Sequence, residues 1–270
     1  MKTRIISGAV FTAVLAFVFF FAPTVVTAVF TAALCAVASY ELLHTTGLVK
    51  SIRLNAYSAV MAALVVLWSY LGSGYAPMLL GVLLYAAVLF GELLISSGKT
   101  PVAQLGYCLL SGIVIPFLLS ALLRIRMGQQ GQLLLLIPFI MAYCSDTGAY
   151  FIGVCFGKHK MCPNISPKKS WEGFFGGIAV AVLVMLLFAM LLARYTDLQV
   201  RYLLALVYGL VGALGSVFGD LMMSVIKRQT GIKDYGKLIP GHGGILDRFD
   251  SVLITAPLTE ALLLLIPMVV

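Results

Sequence analysis

Charge is scarce in this chain. Only 10% of its 270 residues are Lys, Arg, Asp or Glu, while 61% are hydrophobic and the mean hydropathy is +1.07. Soluble domains carry about 25% charge, so this much polar surface cannot clothe a water-soluble enzyme of the same length. Cysteine is sparse too. Cys35, Cys108, Cys144, Cys155 and Cys162 form no Cys-x-x-Cys pair, which excludes a disulfide-stapled scaffold and reads as small apolar residues in a reducing setting. The aliphatic content excludes disorder. Acidic residues are outnumbered by basic ones, ten against 18, and residues 1–130 hold only Glu41 and Glu92.

What is there is a succession of apolar runs. At about 20 residues per bilayer crossing, they predict an all-α polytopic membrane protein of about nine spans: 5–21, 24–43, 54–71, 77–95, 102–123, 133–156, 173–193, 202–226 and 249–270. No internal repeat is evident, and only two loops are long, 157–172 and 227–248. The start, Lys2 to Arg4 followed by an apolar run, resembles a signal peptide, but no small-residue cleavage site follows Phe21, so a retained first helix is expected. Residues 1–130 read as a scaffold of about five spans. Residues 131–270 read as a catalytic region of about four spans with both polar loops.

Basic residues set the expected orientation. With the N-terminus inside, the inner segments hold 14 of the 18 Lys and Arg, among them Lys2, Arg4, Lys50, Arg53 and Lys99, and the outer loops hold four. That asymmetry predicts a cytoplasmic N-terminus and two cytoplasmic long loops. The net charge of +8 is distributed over short loops between apolar runs and so gives no nucleic-acid-binding face.

Eight of the ten acids lie beyond residue 130. Asp146 falls thirteen residues into the sixth span, about 20 Å along it at 1.5 Å per residue. An ionisable group at that depth costs about 2.5–3.5 kcal/mol to insert, so it should face a polar cavity. Asp220 ends a small-residue face made by Gly212, Gly215, Ser216 and Gly219, with Ser224 one turn on. Asp247 and Asp250, spaced i, i+3, would share one face of the ninth helix and repel unless a cation lay between them. Mg²⁺ prefers one or two carboxylates completed by water and phosphate oxygens. Convergent Asp residues beside basic loops therefore predict a metal–phosphate site.

Two stretches supply the basic side. In 166–173, Ser166 and Pro167 read as the N-cap and first residue of a helix. Lys168 and Lys169 would then stand in a first turn that a docked anion would make favourable. In 224–250, Gly241, Gly243 and Gly244 around His242 predict a nest of backbone N–H groups at a helix start, suited to phosphate. Lys227, Arg228, Lys233, Lys237 and Arg248 add cations there.

This second stretch carries a resemblance. The pattern Ser224-x-Ile226-Lys227-Arg228-x4-Lys233-Asp234-x-Gly236-x2-Ile239-Pro240-x-His242-Gly243-Gly244-Ile245-x-Asp247-Arg248-Phe249-Asp250 resembles the full signature of the bacterial phosphatidate cytidylyltransferases, or CDP-diacylglycerol synthases. The runs 146–150 and 166–173 resemble further family elements in the expected order, whereas residues 1–130 carry no diagnostic motif. The resemblance implies an inner-membrane enzyme, dimeric, that joins CTP to phosphatidate and releases pyrophosphate. It also implies Mg²⁺ dependence, with room for a monovalent cation such as K⁺, and places Asp220 and Asp247 on the metal. Asp146 and Asp250 are further metal or catalytic candidates; Lys168, Lys169, Lys227 and Arg228 would bind triphosphate or lipid headgroup, with no assignment between the two. His242 is either an acid or a packing residue of its turn. Ser166, Ser224, Gly243, Gly244 and Arg248 complete the substrate-binding set. Two rivals remain at this level: a nucleotidyl- or phosphotransferase acting on another lipid phosphate, and a cation-coupled transporter.

Overall fold

The computed structural model describes residues 2–72, 74–97 and 100–269, with side chains from residue 6 onward. Lys99 and the side chains of Lys2 and Arg4, which entered the expected charge asymmetry, lie outside the described residues. Among the described residues, seven helices are long and apolar enough to cross a membrane: α2 (Thr24–Thr45), α3 (Ile52–Leu71), α4 (Tyr75–Ile95), α5 (Ala103–Met127), α6 (Gly131–Phe156), α7 (Trp171–Tyr195) and α8 (Tyr202–Gln229). Two shorter apolar helices, α1 (Ile6–Phe21) and α10 (Val252–Leu265), stand where the first and ninth spans were expected. A four-residue helix, α9 (Leu246–Phe249), precedes α10. The chain is a polytopic, helical membrane protein. Beside the helices stands an antiparallel hairpin of β1 (Lys160–Cys162) and β2 (Ser166–Ser170), pairing Lys160 with Ser170 and Cys162 with Ser166.

The chain divides into two compact units, Met1–Gln129 with Gln229–Arg248, and Gln130–Arg228 with Phe249–Val270. The region expected as one catalytic part, 131–270, is thus shared, because its segment Gln229–Arg248 clusters with the first unit.

In the first unit α2 lies along α3, and the core gathers Leu43, Leu54, Met61, Val65, Tyr85, Leu89 and Leu105. A polar group in an apolar interior must find a partner. The Tyr85 hydroxyl donates to the Cys108 carbonyl at 2.9 Å and meets Ser58 Oγ at 2.8 Å. Gly112 leaves room for it, since a Cβ there would lie 2.7 Å from that hydroxyl. All five cysteines are free.

In the second unit glycines let helix backbones touch, as small residues do in membrane helix pairs. A Cβ on Gly173 or Gly177 of α7 would lie 2.6 or 2.7 Å from a carbonyl of α6, and a Cβ on Gly219 of α8 would lie 2.5 Å from the Asp250 carbonyl. The small-residue face noted in the sequence is a packing face. Thr255 Oγ1 donates to the Pro138 carbonyl at 3.0 Å, fastening α10 to α6.

Two carboxylates sit where a helix is locally widened into a π turn. Glu41 opens the π turn Glu41–Thr45 that ends α2, and Asp146 lies just past the π turn Ile140–Cys144 inside α6. Such a turn inserts one residue and rotates the downstream side chains around the helix axis, a device common at functional positions.

Candidate active site

In the second unit, the seryl hydroxyls of neighbouring elements hold Asp146 from both sides. Ser216 Oγ of α8 donates to its Oδ1 at 3.2 Å and Ser251 Oγ donates to its Oδ2 at 2.9 Å. Asp220 accepts from Ser224 Oγ at 3.2 Å and pairs with Lys169 Nζ at 2.7 Å. Asp250 lies in the turn between α9 and α10, within electrostatic reach of Asp220, Asp146 and the buried Lys227. Burial pushes the Asp250 carboxyl up to about 7; the negative charge of Asp220 adds to this, while Lys227 and the Ser251 N–H oppose it. Three carboxylates thus share one field, offset by the ammonium groups of Lys169 and Lys227.

The hairpin corrects the expected start of α7. Ser166, Pro167, Lys168 and Lys169 belong to strand β2, and Ser170 is the N-cap, its Oγ accepting the Gly173 N–H at 3.2 Å. Pro167 fixes φ equally well in an extended strand as in a first helical turn. The anion that Lys169 was expected to need is Asp220 itself, whereas Lys168 is exposed on the strand. Arg228 Nε donates to the Ile165 carbonyl at 3.0 Å, bracing the hairpin, and His159 Nδ1 meets Glu172 Oε1 at 2.6 Å across its open end.

The first unit holds the glycine-rich loop. The loop turns at Gly241 and Gly243, with φ of +77° and +87°, a region that glycine enters at no steric cost. The Ile239 N–H donates to the Gly243 carbonyl at 3.0 Å and the His242 N–H to the Ile239 carbonyl at 2.9 Å. Of the N–H groups expected to cradle phosphate, that of Gly244 goes to a carboxylate of the chain itself and that of His242 to a backbone carbonyl, while carboxylates also bind the flanking backbone. Asp247 Oδ2 accepts from Tyr235 N at 2.7 Å and from Gly244 N at 3.0 Å. Glu41 accepts from Ile245 N at Oε1 and from Leu246 N at Oε2, both at 3.0 Å. Glu41 escaped sequence reasoning, and its one available signal was a lone carboxylate at the end of an apolar helix. Ser7 Oγ donates to the Pro240 carbonyl at 2.7 Å and lies 3.2 Å from His242 Nδ1, so His242 is held in its turn by α1.

What this loop offers outward is side-chain charge. A cavity of about 410 Å³ is lined by Lys233, Lys237, Arg248, His242 and Asp234. Three permanent cations against one carboxylate suit a polyanion.

The i, i+3 face expected for Asp247 and Asp250 does not form. Asp247 belongs to α9 and Asp250 to the turn that separates α9 from α10, so no single helix carries both. Among the described residues no three His, Cys, Asp or Glu side chains close on one point as a complete metal cage would need. Mg²⁺ asks for less: one or two carboxylates, with water and phosphate as the remaining ligands. The hard-oxygen donors of Asp146 and Asp220, the latter already accommodating an ammonium at 2.7 Å, fit that demand.

Comparison with known proteins agrees with this chemistry. A phosphatidate cytidylyltransferase of Bacillus subtilis is 32% identical over 98% of both chains. Enzymes of the same name from Staphylococcus epidermidis and Haemophilus influenzae are 35% and 39% identical, over 68% of both chains for the first and over 59% of this chain and 56% of the relative for the second. The profile of the cytidylyltransferase family matches residues 2–266, nearly end to end, and the chain belongs to that family of nucleotidyltransferases.

Proposed function

We propose that the protein transfers the cytidylyl group of CTP to phosphatidate, forming CDP-diacylglycerol and pyrophosphate. The observation that carries this reading is the basic cavity of the signature loop, lined by Lys233, Lys237 and Arg248, in a chain that matches a phosphatidate cytidylyltransferase over nearly its whole length.

A phosphate oxygen of the lipid attacks the α-phosphorus of CTP in line; the new P–O bond forms as the α–β bridging bond breaks, and pyrophosphate carries away the electron pair. The phosphatidate monoester is largely ionised near neutrality, so no general base is required. Residues then act by positioning and by neutralising charge. Lys233, Lys237 and Arg248 hold the triphosphate, while Lys168, Lys169, Lys227 and Arg228 serve triphosphate or headgroup. Asp220, Asp247 and Asp146 are assigned to Mg²⁺, the first two on the family pattern and Asp146 on its setting in the second unit, with K⁺ as a candidate second ion. When bound, Mg²⁺ supplies Lewis-acid polarisation of phosphate oxygens. His242, tied to Ser7, acts as a packing residue of its turn.

The same reading includes a plasma-membrane location, a cytoplasmic N-terminus with the site at the cytoplasmic boundary, and a homodimer. The basic loops support the orientation, and it suits a soluble nucleotide meeting a membrane lipid.

The test uses the full chain, purified in nanodiscs, with radiolabelled CTP, phosphatidate and Mg²⁺. Label should enter the lipid fraction in step with pyrophosphate, stop on chelation by EDTA and return with added Mg²⁺. Labelling only of another lipid phosphate would transfer the reading to that substrate, and no labelling of any lipid phosphate would end it.

A further inference from the structure

The first unit contains a carboxylate that the mechanism above does not use. Glu41 is buried at the π turn ending α2, 204 residues from the loop it meets. Each of its oxygens accepts one backbone N–H, from Ile245 and from Leu246, at 3.0 Å. These are the amides through which the glycine-rich loop passes into α9, one and two residues before Asp247. Glycines surround the carboxylate: a Cβ on Gly236 or on Gly244 would collide with it. The loop is therefore closed around Glu41, and two glycines of the signature are required by that closure.

We propose that Glu41 is a positioning residue for the cytidylyl transfer, an internal anion that holds the loop bearing Asp247 and Arg248 in its working conformation. The proposal rests on the reading of that loop as part of the catalytic site. Glu41 touches neither substrate nor reacting atoms. It acts through the two amides it binds, and its place at a helix start is the one a phosphate was expected to take. A carboxylate suits the task because it presents two acceptors. A Gln of the same size presents one acceptor and one NH₂, which would face a backbone N–H donor to donor.

The experiment compares wild type with E41Q in nanodiscs, reading hydrogen exchange over 240–250 alongside kcat and KM for CTP and phosphatidate. The expected result is faster exchange at Ile245 and Leu246, with unchanged exchange in α3 and α8. The kcat should fall at least about tenfold, the kinetic equivalent of losing one buried hydrogen bond to a charged group. A merely structural role would accelerate exchange throughout the first unit or leave kcat intact, and either result overturns the proposal, as does unaltered exchange at the two amides. G244A keeps the carboxylate but displaces it, and should reproduce both effects; it carries the decision if E41Q does not survive purification. A wild type that is inactive on every lipid phosphate but shows the two amides protected overturns the transfer reading and the catalytic half of this proposal, while the exchange arm still decides the anchoring.

Discussion

The two units use carboxylates in opposite ways. In the first, Glu41 and Asp247 accept the backbone N–H groups of Tyr235, Gly244, Ile245 and Leu246, in a loop that those bonds keep in shape. In the second, Asp146 and Asp220 accept seryl hydroxyls, and Asp220 pairs with the ammonium of Lys169. A backbone amide cannot leave without unfolding its loop. A hydroxyl rotates and a lysine swings on its flexible four-carbon stem. Carboxylates of the second kind can exchange partners during a reaction; those of the first kind are committed to architecture, and can act on a ligand only through whatever capacity the loop leaves them.

Mutants test this contrast, with effects that should fall in a definite order. D220N should have the largest effect, lowering CDP-lipid formation about 10³-fold, the kinetic size of several kcal/mol of lost electrostatic stabilisation; turnover within tenfold of wild type would remove Asp220 from the metal. D247N should cost about 10²-fold in the same assay while the thermal unfolding midpoint barely moves. An Asn oxygen can still accept from Tyr235 and Gly244, so the loop keeps its shape and only the charge is lost. A large drop in the unfolding midpoint would instead class Asp247 with Glu41 as architecture alone.

K169M removes the ammonium that pairs with Asp220. If Lys169 holds the place of a cation beside Asp220, its removal should lower kcat about tenfold or more and shift the Mg²⁺ half-saturation to lower concentration. A shift to higher concentration would show that the ammonium assists the metal. S251A should have the smallest effect, several-fold to about tenfold on kcat/KM, because Asp146 keeps its bond from Ser216 and loses one charge-assisted hydrogen bond.

Much of the helical frame was legible. The runs expected at 24–43 and 202–226 are observed as Thr24–Thr45 and Tyr202–Gln229, because the bilayer demands long apolar segments whose backbone bonds are satisfied within themselves. The hairpin was not legible. Its strands of three and five residues alternate too little to show a period, and Ser166-Pro167 imitates the helix start that Ser170 provides. Around the site, Asp146 announced itself by its cost in an apolar span, whereas Glu41 resembled an ordinary end-of-helix acid. Only its partners distinguish it, and they lie more than two hundred residues away.

Hydropathy and motif spacing are local properties, so the order of amino acids is enough to tell which segments leave water, which acids stand out against them and which signature the polar loop bears. What each acid binds follows from the packed chain instead. A carboxylate accepts any donor within about 3 Å, and which donors come that close depends on how distant segments pack. That packing gave Asp220 a lysine from a hairpin and gave Glu41 two amides of the loop.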